Sequence, residues 1–361
     1  MSTFKVRKVA VLGAGVMGAQ IAAHLVNVKV PVILFDLPAK EGPKNGIVTR
    51  AVEALKKQKP APLGVADDAV LIAPANYEEH LEQLRECDLV IEAIAERMDW
   101  KRDLYAKIAP FVAPHAIVAS NTSGLSITAL SEALPAEMKP RFCGIHFFNP
   151  PRYMQLVELI PTPGSDAGML DDLETFVTRT LGKGVVRAKD TPNFVANRVG
   201  TAGMLATFVE AAKYGLSYDV VDDLTGKKMG RASSGTFRTA DVVGLDTLAH
   251  VMKTLQDTLG PDKANDPFYG SFATPPALAK LVAAGALGQK SGAGFYKKVG
   301  KDILRFDAEK GDYVPGGGKA DPIIDRILKK PAAERLKLLR ESSHPQAQFI
   351  WAILRNGFHY V

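Results

Sequence analysis

The chain has 361 residues, 47% of them hydrophobic, 23% charged and 7% aromatic. That is longer than one ordinary domain and apolar enough for packed cores, so two or three domains are expected and intrinsic disorder is excluded. No stretch approaches the roughly 18–20 uninterrupted apolar residues that a membrane-crossing helix needs. The net charge of +6 lies entirely in residues 290–361, which hold 14 Lys and Arg against 8 Asp and Glu; the rest carries 31 of each sign. A basic face for nucleic acid is therefore not expected on the main fold. Cys87 and Cys143, both among apolar neighbours, read as small buried hydrophobes rather than as a disulfide or a metal cage, and no signal peptide is visible. A cytoplasmic protein is the expectation.

In chain order, the strand KVAVL leads into Gly13-Ala-Gly15-Val16-Met17-Gly18 and then an amphipathic run from Met17 to Val28. Alone the glycine string is weak evidence, but a strand before it and a helix after it make a dinucleotide site. The glycines permit a tight turn and close approach of backbone to a diphosphate, which sits against free N–H groups at the helix N-terminus. Asp36 ends the next strand, ILFD, where a carboxylate accepts from ribose hydroxyls and repels a 2′-phosphate. NAD is expected over NADP.

A polar helical stretch from Pro43 to Lys59 follows, then DLVIEAI, a helix near Asp99–Phe111, AIVASNTS, RFCGIHFFNPP, QLVELIP, a helix near Met169–Leu181 and GVVRAKD. Short apolar strands alternating with helices predict a mostly parallel, Rossmann-type sheet covered on both faces. Beyond Asp190 the apolar spacing becomes helical, and Thr191-Pro192 reads as a helix start. The expected organisation is an α/β nucleotide-binding domain over 1–188, an all-α domain over 189–298 for substrate or dimerisation, and a basic linker leading into further helices over 299–361.

His146 closes an apolar run, and Glu158 sits in the middle of another. A carboxylate there is costly unless paired. If the two segments lie together, Glu158 fixes the imidazole tautomer and raises its basicity, as a general base requires; a structural His–Glu core pair is the bland alternative. Ser120 to Ser123 follow a strand at the end where open α/β sheets bind ligands, though Ser and Asn are also helix caps. Asn197 lies among apolar residues and needs a partner, a substrate carbonyl being one candidate. The basic residues Lys40, Lys44, Arg50, Lys56, Lys57 and Lys59 suit either a phosphate-rich ligand or a solvated helix face.

GAGVMG, Asp36, SNTS, HFFNPP, LVE, KDTPNFVANR, DVVGLD and KSGAGFY, in this order, resemble the 3-hydroxyacyl-CoA dehydrogenase family over about residues 6–298. The resemblance implies NAD-dependent oxidation of L-3-hydroxyacyl-CoA to 3-ketoacyl-CoA in fatty-acid β-oxidation. By position it makes His146 the base and Glu158 its partner. Ser123 and Asn197 would bind the reacting oxygen and the thioester region. Glu96, Lys101, Asn149 and Lys290 would lie near the cofactor. The alternatives are a β-hydroxyacid dehydrogenase of similar plan with a lysine base, and an NAD-binding protein without turnover. The family's Pro-Met-Gly-Pro-Phe stretch is replaced here by MGRASSGTF, which resembles longer bacterial proteins with a downstream hydratase-like region. The apolar face expected around Phe349, Ile350, Trp351 and Phe358 implies a cover: that downstream domain, this chain's own second domain, or a homodimer contact.

Overall fold

The computed structural model describes residues 5–259, 266 and 269–361. It divides into two compact units, Met1–Val195 and Ala196–Val361.

The first unit is a doubly wound sheet. Its elements run β1 (Val9–Leu12), α1 (Val16–Asn27), β2 (Val32–Asp36), α2 (Gly46–Leu55), β3 (Ile72–Asn76), β4 (Leu89–Glu92), α3 (Met98–Ile108), β5 (Ile117–Ser120), α4 (Ile127–Ser131), β6 (Phe142–Phe147), β7 (Leu156–Pro161), α5 (Ala167–Arg179) and β8 (Gly184–Arg187). The strand order is β3-β2-β1-β4-β5-β6-β7-β8. β3 through β6 are mutually parallel, β7 pairs antiparallel with β6, and β8 runs parallel to β7. β1, β4 and β5 are buried along their whole length, as strands covered on both faces must be. β3, which carries Pro74, was not expected from its sequence; it is an edge strand, where a missing N–H costs no ladder bond.

The reversal at β7 decides which side chains meet. Across an antiparallel pair, directly opposed residues share a face with their Cβ atoms about 5 Å apart. His146 is opposed to Glu158. The connection between these strands is held from below by the buried Lys183, whose ammonium donates to the carbonyls of Pro151 (2.5 Å) and Met154 (2.8 Å). Cys87 and Cys143 are buried free thiols, and burial pushes each up to about 12, which leaves them unreactive.

Thr191-Pro192 does not start a helix. Residues 192–195 form a turn in which Asn193 and Phe194 have positive φ, and α6 (Ala196–Lys213) begins after it. The second unit continues with α7 (Tyr218–Thr225), α8 (Phe237–Val243), α9 (Leu245–Leu259), α10 (Pro276–Ala283), the antiparallel strands β9 (Tyr296–Val299), β10 (Asp302–Asp307) and β11 (Asp312–Pro315), then α11 (Pro322–Leu328), α12 (Ala332–Glu341) and α13 (Pro345–Tyr360).

The helical domain expected over 189–298 is present as α6 to α10, with β9, β10 and β11 following it. Residues 299–361, expected as a basic linker and the start of further helices, share its unit. Phe306, Ile324, Leu328, Leu339, Phe349, Ile350 and Ile353 join the same core as Leu205, Phe237, Leu255 and Phe295. α13 packs along α6, with Asn356 donating to Glu210 at 3.1 Å and the Tyr360 hydroxyl donating to Asp266 at 2.8 Å. Phe349 and Ile350 are fully buried by the unit's own chain, while Phe358 is left exposed. The MGRASSGTF stretch wraps around Asp222, whose carboxylate accepts from the amides of Thr236, Phe237 and Arg238 and from the Tyr296 hydroxyl.

Phe349→Ala should cost the second unit about 3–5 kcal/mol, the usual price of an aromatic removed from a core. Chemical denaturation checks this, and an unchanged midpoint would mean that residues 345–360 fold apart from α6. A second prediction concerns pH. His24 on α1 is buried with Nε2 3.2 Å from the Leu181 carbonyl; burial, then the Lys183 and Arg152 charges, lower it from 6.5 to about 4. The unfolded chain therefore binds a proton that the folded one refuses. Its stability contribution is complete above pH 6.5 and is lost as pH falls toward 4. His24→Gln should flatten the decline in melting temperature between those values; an equal decline in wild type and variant would refute this.

Candidate active site

The carboxyl ends of β1, β4, β5 and β6 carry the polar groups of the first unit. Gly13 has φ +106°, and a Cβ there would lie 2.7 Å from the Ala93 carbonyl oxygen. A Cβ on Gly18 would fall 1.8 Å from the Gly13 oxygen, so α1 approaches the turn after β1 this closely only because residue 18 is glycine. Gly15 differs. It is exposed, its φ is −68°, and nothing lies within 4 Å of where its Cβ would stand. The first turn of α1, with the exposed Val16 and half-buried Met17, has no side-chain cap and no acidic residue. Its N–H groups thus remain available to an anion. Asp36 accepts from the Ala14 amide at 2.7 Å and from the Leu37 amide at 2.7 Å, which ties the end of β2 to the glycine turn. An open cradle beside a half-buried carboxylate fits a dinucleotide's diphosphate and ribose.

His146 and Glu158 are buried, at 3% and 0% exposure. His146 Nδ1 lies 2.8 Å from Glu158 Oε2, and His146 Nε2 lies 3.1 Å from the hydroxyl of the exposed Ser123. An ionised carboxylate only accepts, so the bond to Glu158 places the proton on Nδ1 and leaves the Nε2 lone pair toward Ser123. Phe148 and Phe194 pack on the imidazole, with ring centroids 4.5 and 5.6 Å away.

Ser123 is itself positioned. Glu96 Oε1 accepts from the Thr122 hydroxyl (2.5 Å), the Ser123 amide (2.9 Å) and the Gly124 amide (2.8 Å). Behind this loop lies a buried network that sequence reading did not single out. Glu92, fully buried at the end of β4, accepts from Lys101 Nζ (2.5 Å), the Ile94 amide (2.7 Å), the Tyr105 hydroxyl (3.0 Å) and the Ser120 hydroxyl (2.6 Å). Lys101 lies 3.8 Å from Glu96 as well. Its side chain is 1% exposed, so in this structure it binds two carboxylates and presents no charge to a ligand. The signal for Glu92 was its place: an acid closing the apolar run Leu89–Ile91. Asn121 of the SNTS loop accepts from the Phe147 amide through Oδ1. One further residue was missed: Asp190 accepts from Ser126, Ile127 and Thr128 at the start of α4.

Asn149 is exposed and accepts from Gln20 at 3.3 Å. In the second unit, Asn197 lies half-buried in the first turn of α6, and Lys290 is ion-paired with Asp246 at 2.6 Å. Of the basic stretch, Lys44 pairs with Glu78 and Lys56 with Glu53, and all six cations are exposed. No helix among the described residues is long and apolar enough to cross a membrane.

Residues 8–191 match the family model for the NAD-binding domain of 3-hydroxyacyl-CoA dehydrogenase, and residues 194–298 match the model for its C-terminal domain. A probable 3-hydroxyacyl-CoA dehydrogenase of Deinococcus radiodurans is 44% identical over 302 residues, covering 83% of this chain and 85% of that protein. One of Bacillus subtilis is 39% identical over 98% of this chain, which spans only 46% of the relative's length. The crystal structure of (S)-3-hydroxybutyryl-CoA dehydrogenase from Ralstonia eutropha superposes with a TM-score of 0.66 at 29% identity, over 80% of this chain and 98% of that one.

The two glycines make opposite predictions. Gly15→Ala should leave the melting temperature unchanged and weaken NADH binding about tenfold or more, because the new methyl enters the open cradle. Gly18→Ala should destabilise the fold itself. Titration calorimetry and thermal melting separate the two; equal NADH affinity in Gly15→Ala and wild type would put the diphosphate elsewhere.

Proposed function

Because this chain belongs to the 3-hydroxyacyl-CoA dehydrogenase family, we propose that it oxidises L-3-hydroxyacyl-CoA to 3-ketoacyl-CoA with NAD, a step of fatty-acid β-oxidation. The observation that carries the reading is the bonded line Ser123–His146–Glu158 beside the SNTS loop. Gly13, Gly15, Val16, Met17, Gly18 and Asp36 would hold NAD, which when bound supplies the hydride acceptor.

The chain's own part is proton transfer and orientation. His146 Nε2 takes the substrate's hydroxyl proton as the C3–H bond breaks, and Glu158 stabilises the imidazolium that results. Ser123 exchanges its bond to Nε2 for one to the substrate oxygen, held in place by Glu96 through its own amide. Asn197 binds the thioester region in this reading. Asn149, Lys290, Glu96 and Lys101 complete the cofactor side, the last two by fixing the SNTS loop rather than by touching the ligand. The lysine-base alternative is disfavoured by the His146–Glu158 pair, which already supplies a base bonded to its carboxylate.

Relatives that extend well beyond the aligned region support a second catalytic region, such as a hydratase-like one, working beside this module; a homodimer is the alternative partner. A cytoplasmic setting is part of this reading, for a chain with only two cysteines, Cys87 and Cys143, both free.

NADH absorbance on addition of acetoacetyl-CoA tests the activity in the reductive direction. General-base catalysis is worth roughly 10²–10⁴-fold, so His146→Gln should lose about that much in kcat while binding NADH as wild type does. Full activity in His146→Gln would remove the imidazole from the mechanism.

A further inference from the structure

The turn before α6 adopts a conformation that its residues resist. Asn193 and Phe194 are consecutive left-handed residues, with φ of 59° and 52°. Asn tolerates this region, but a bulky aromatic is a genuine outlier there. The Asn193 side chain does not explain it: the residue is 7% exposed and its Nδ2 has no hydrogen-bond partner. What holds the turn lies on the other two residues. The Phe194 amide donates to the Thr191 carbonyl at 2.9 Å, and its ring, 2% exposed, packs against His146. The Val195 amide donates to Glu158 Oε1 at 3.0 Å, while the other oxygen of that carboxylate engages His146 Nδ1. One turn therefore touches both members of the pair, the imidazole by a ring and the carboxylate by an N–H.

The geometry points to Phe194 as a positioning residue for the His146–Glu158 pair, its left-handed backbone being what brings ring and Val195 N–H to bear together. Backbone in a sparsely populated region persists only where its surroundings over-determine it, and such sites cluster where a chemical group must be held in one orientation. Were the turn to relax to an extended conformation, the Val195 N–H would leave Glu158 and the carboxylate could rotate off Nδ1. The inference rests on the reading of His146 as the base, but the orientation it describes is measurable without turnover.

Three variants divide the two contacts. Phe194→Gly keeps a backbone free to be left-handed and removes the ring. Phe194→Leu keeps apolar bulk at the same backbone cost. Val195→Pro removes the N–H and forces residue 194 out of the helical regions, at a place just before a helix where proline is tolerated. The readouts are kcat and KM with acetoacetyl-CoA and NADH, and the low-field proton resonance of His146 Nδ1–H, assigned by its absence in His146→Gln.

Phe194→Gly and Val195→Pro should lose about tenfold or more in kcat, since small misplacement of a reacting group is costly. KM should change by less than about threefold, the split expected when orientation and not binding is lost, and the resonance should broaden. Phe194→Leu should retain most of both signals. Normal kcat and an intact resonance in either of the first two variants would overturn the proposal, as would a fall in kcat with the resonance unchanged. If Phe194→Gly does not fold, the contrast between Phe194→Leu and Val195→Pro decides alone. A wild-type protein that shows the resonance but no turnover would refute the proposed reaction, and the resonance in the variants would still judge the turn.

Discussion

The first unit is organised around a carboxylate that water does not reach. Glu158 sits at 0% exposure in a strand whose neighbours are Val157, Leu159 and Ile160. A charge so placed costs several kcal/mol unless its oxygens are satisfied. Here Oε2 engages His146 and Oε1 takes the Val195 amide. Both partners follow from topology. The antiparallel pairing of β6 with β7 opposes His146 to Glu158, and a parallel β7 would have needed a crossover instead of the short connection through Pro150 and Pro151. The chain leaves β8 and turns back over the pair before the helical unit begins. A one-residue slip in the β6–β7 register would send Glu158 to the opposite face and leave the imidazole without its acceptor.

A second buried acid, Glu92, does comparable work for the SNTS loop. It gathers Lys101, Tyr105, Ser120 and a backbone amide, so the ammonium enters the interior already paired. Such pairs contribute little net stability compared with an apolar core of the same shape. Their value lies in specificity: Lys101 bridges toward Glu96, and Glu96 fixes the backbone of Ser123 and Gly124. The exposed Ser123 hydroxyl is thereby placed by bonds two and three removed from it.

Much of this was legible in the residues. The glycine turn, Asp36 and the mostly parallel sheet follow from short-range rules, and the pairing of His146 with Glu158 follows from the cost of an unpaired buried acid. What was not legible depended on contacts distant in sequence. β3 reads as Ile-Ala-Pro-Ala-Asn, with too few β-branched residues to announce a strand, and only its edge position makes Pro74 tolerable. Thr191-Pro192 carries a helix-start pattern, yet the demands of Glu158 and His146 impose a left-handed turn and delay the helix to Ala196. Residues 299–361 read as a basic tail because their charges lie on the surface, whereas Phe306, Ile324, Phe349 and Ile350 complete a core begun a hundred residues earlier.

The motifs that carried the resemblance also divide by physical role. In DVVGLD, Asp241 is buried and accepts from the amides of Phe295 and Tyr296 at 2.8 and 2.9 Å. A Cβ on Gly294 would stand 2.1 Å from its Oδ1, and one on Gly288 would lie 2.3 Å from its carbonyl oxygen. The pairing of DVVGLD with KSGAGFY is therefore a packing constraint, an acid closing a glycine-rich loop and pushed up to about 6 by its own burial. HFFNPP and LVE instead place the imidazole and its acceptor. KDTPNFVANR does both at once, since Asp190 caps α4 while Phe194 and Val195 grip the pair. Sequence similarity weighs these roles alike. Only the geometry separates residues that hold the fold from residues that hold a proton.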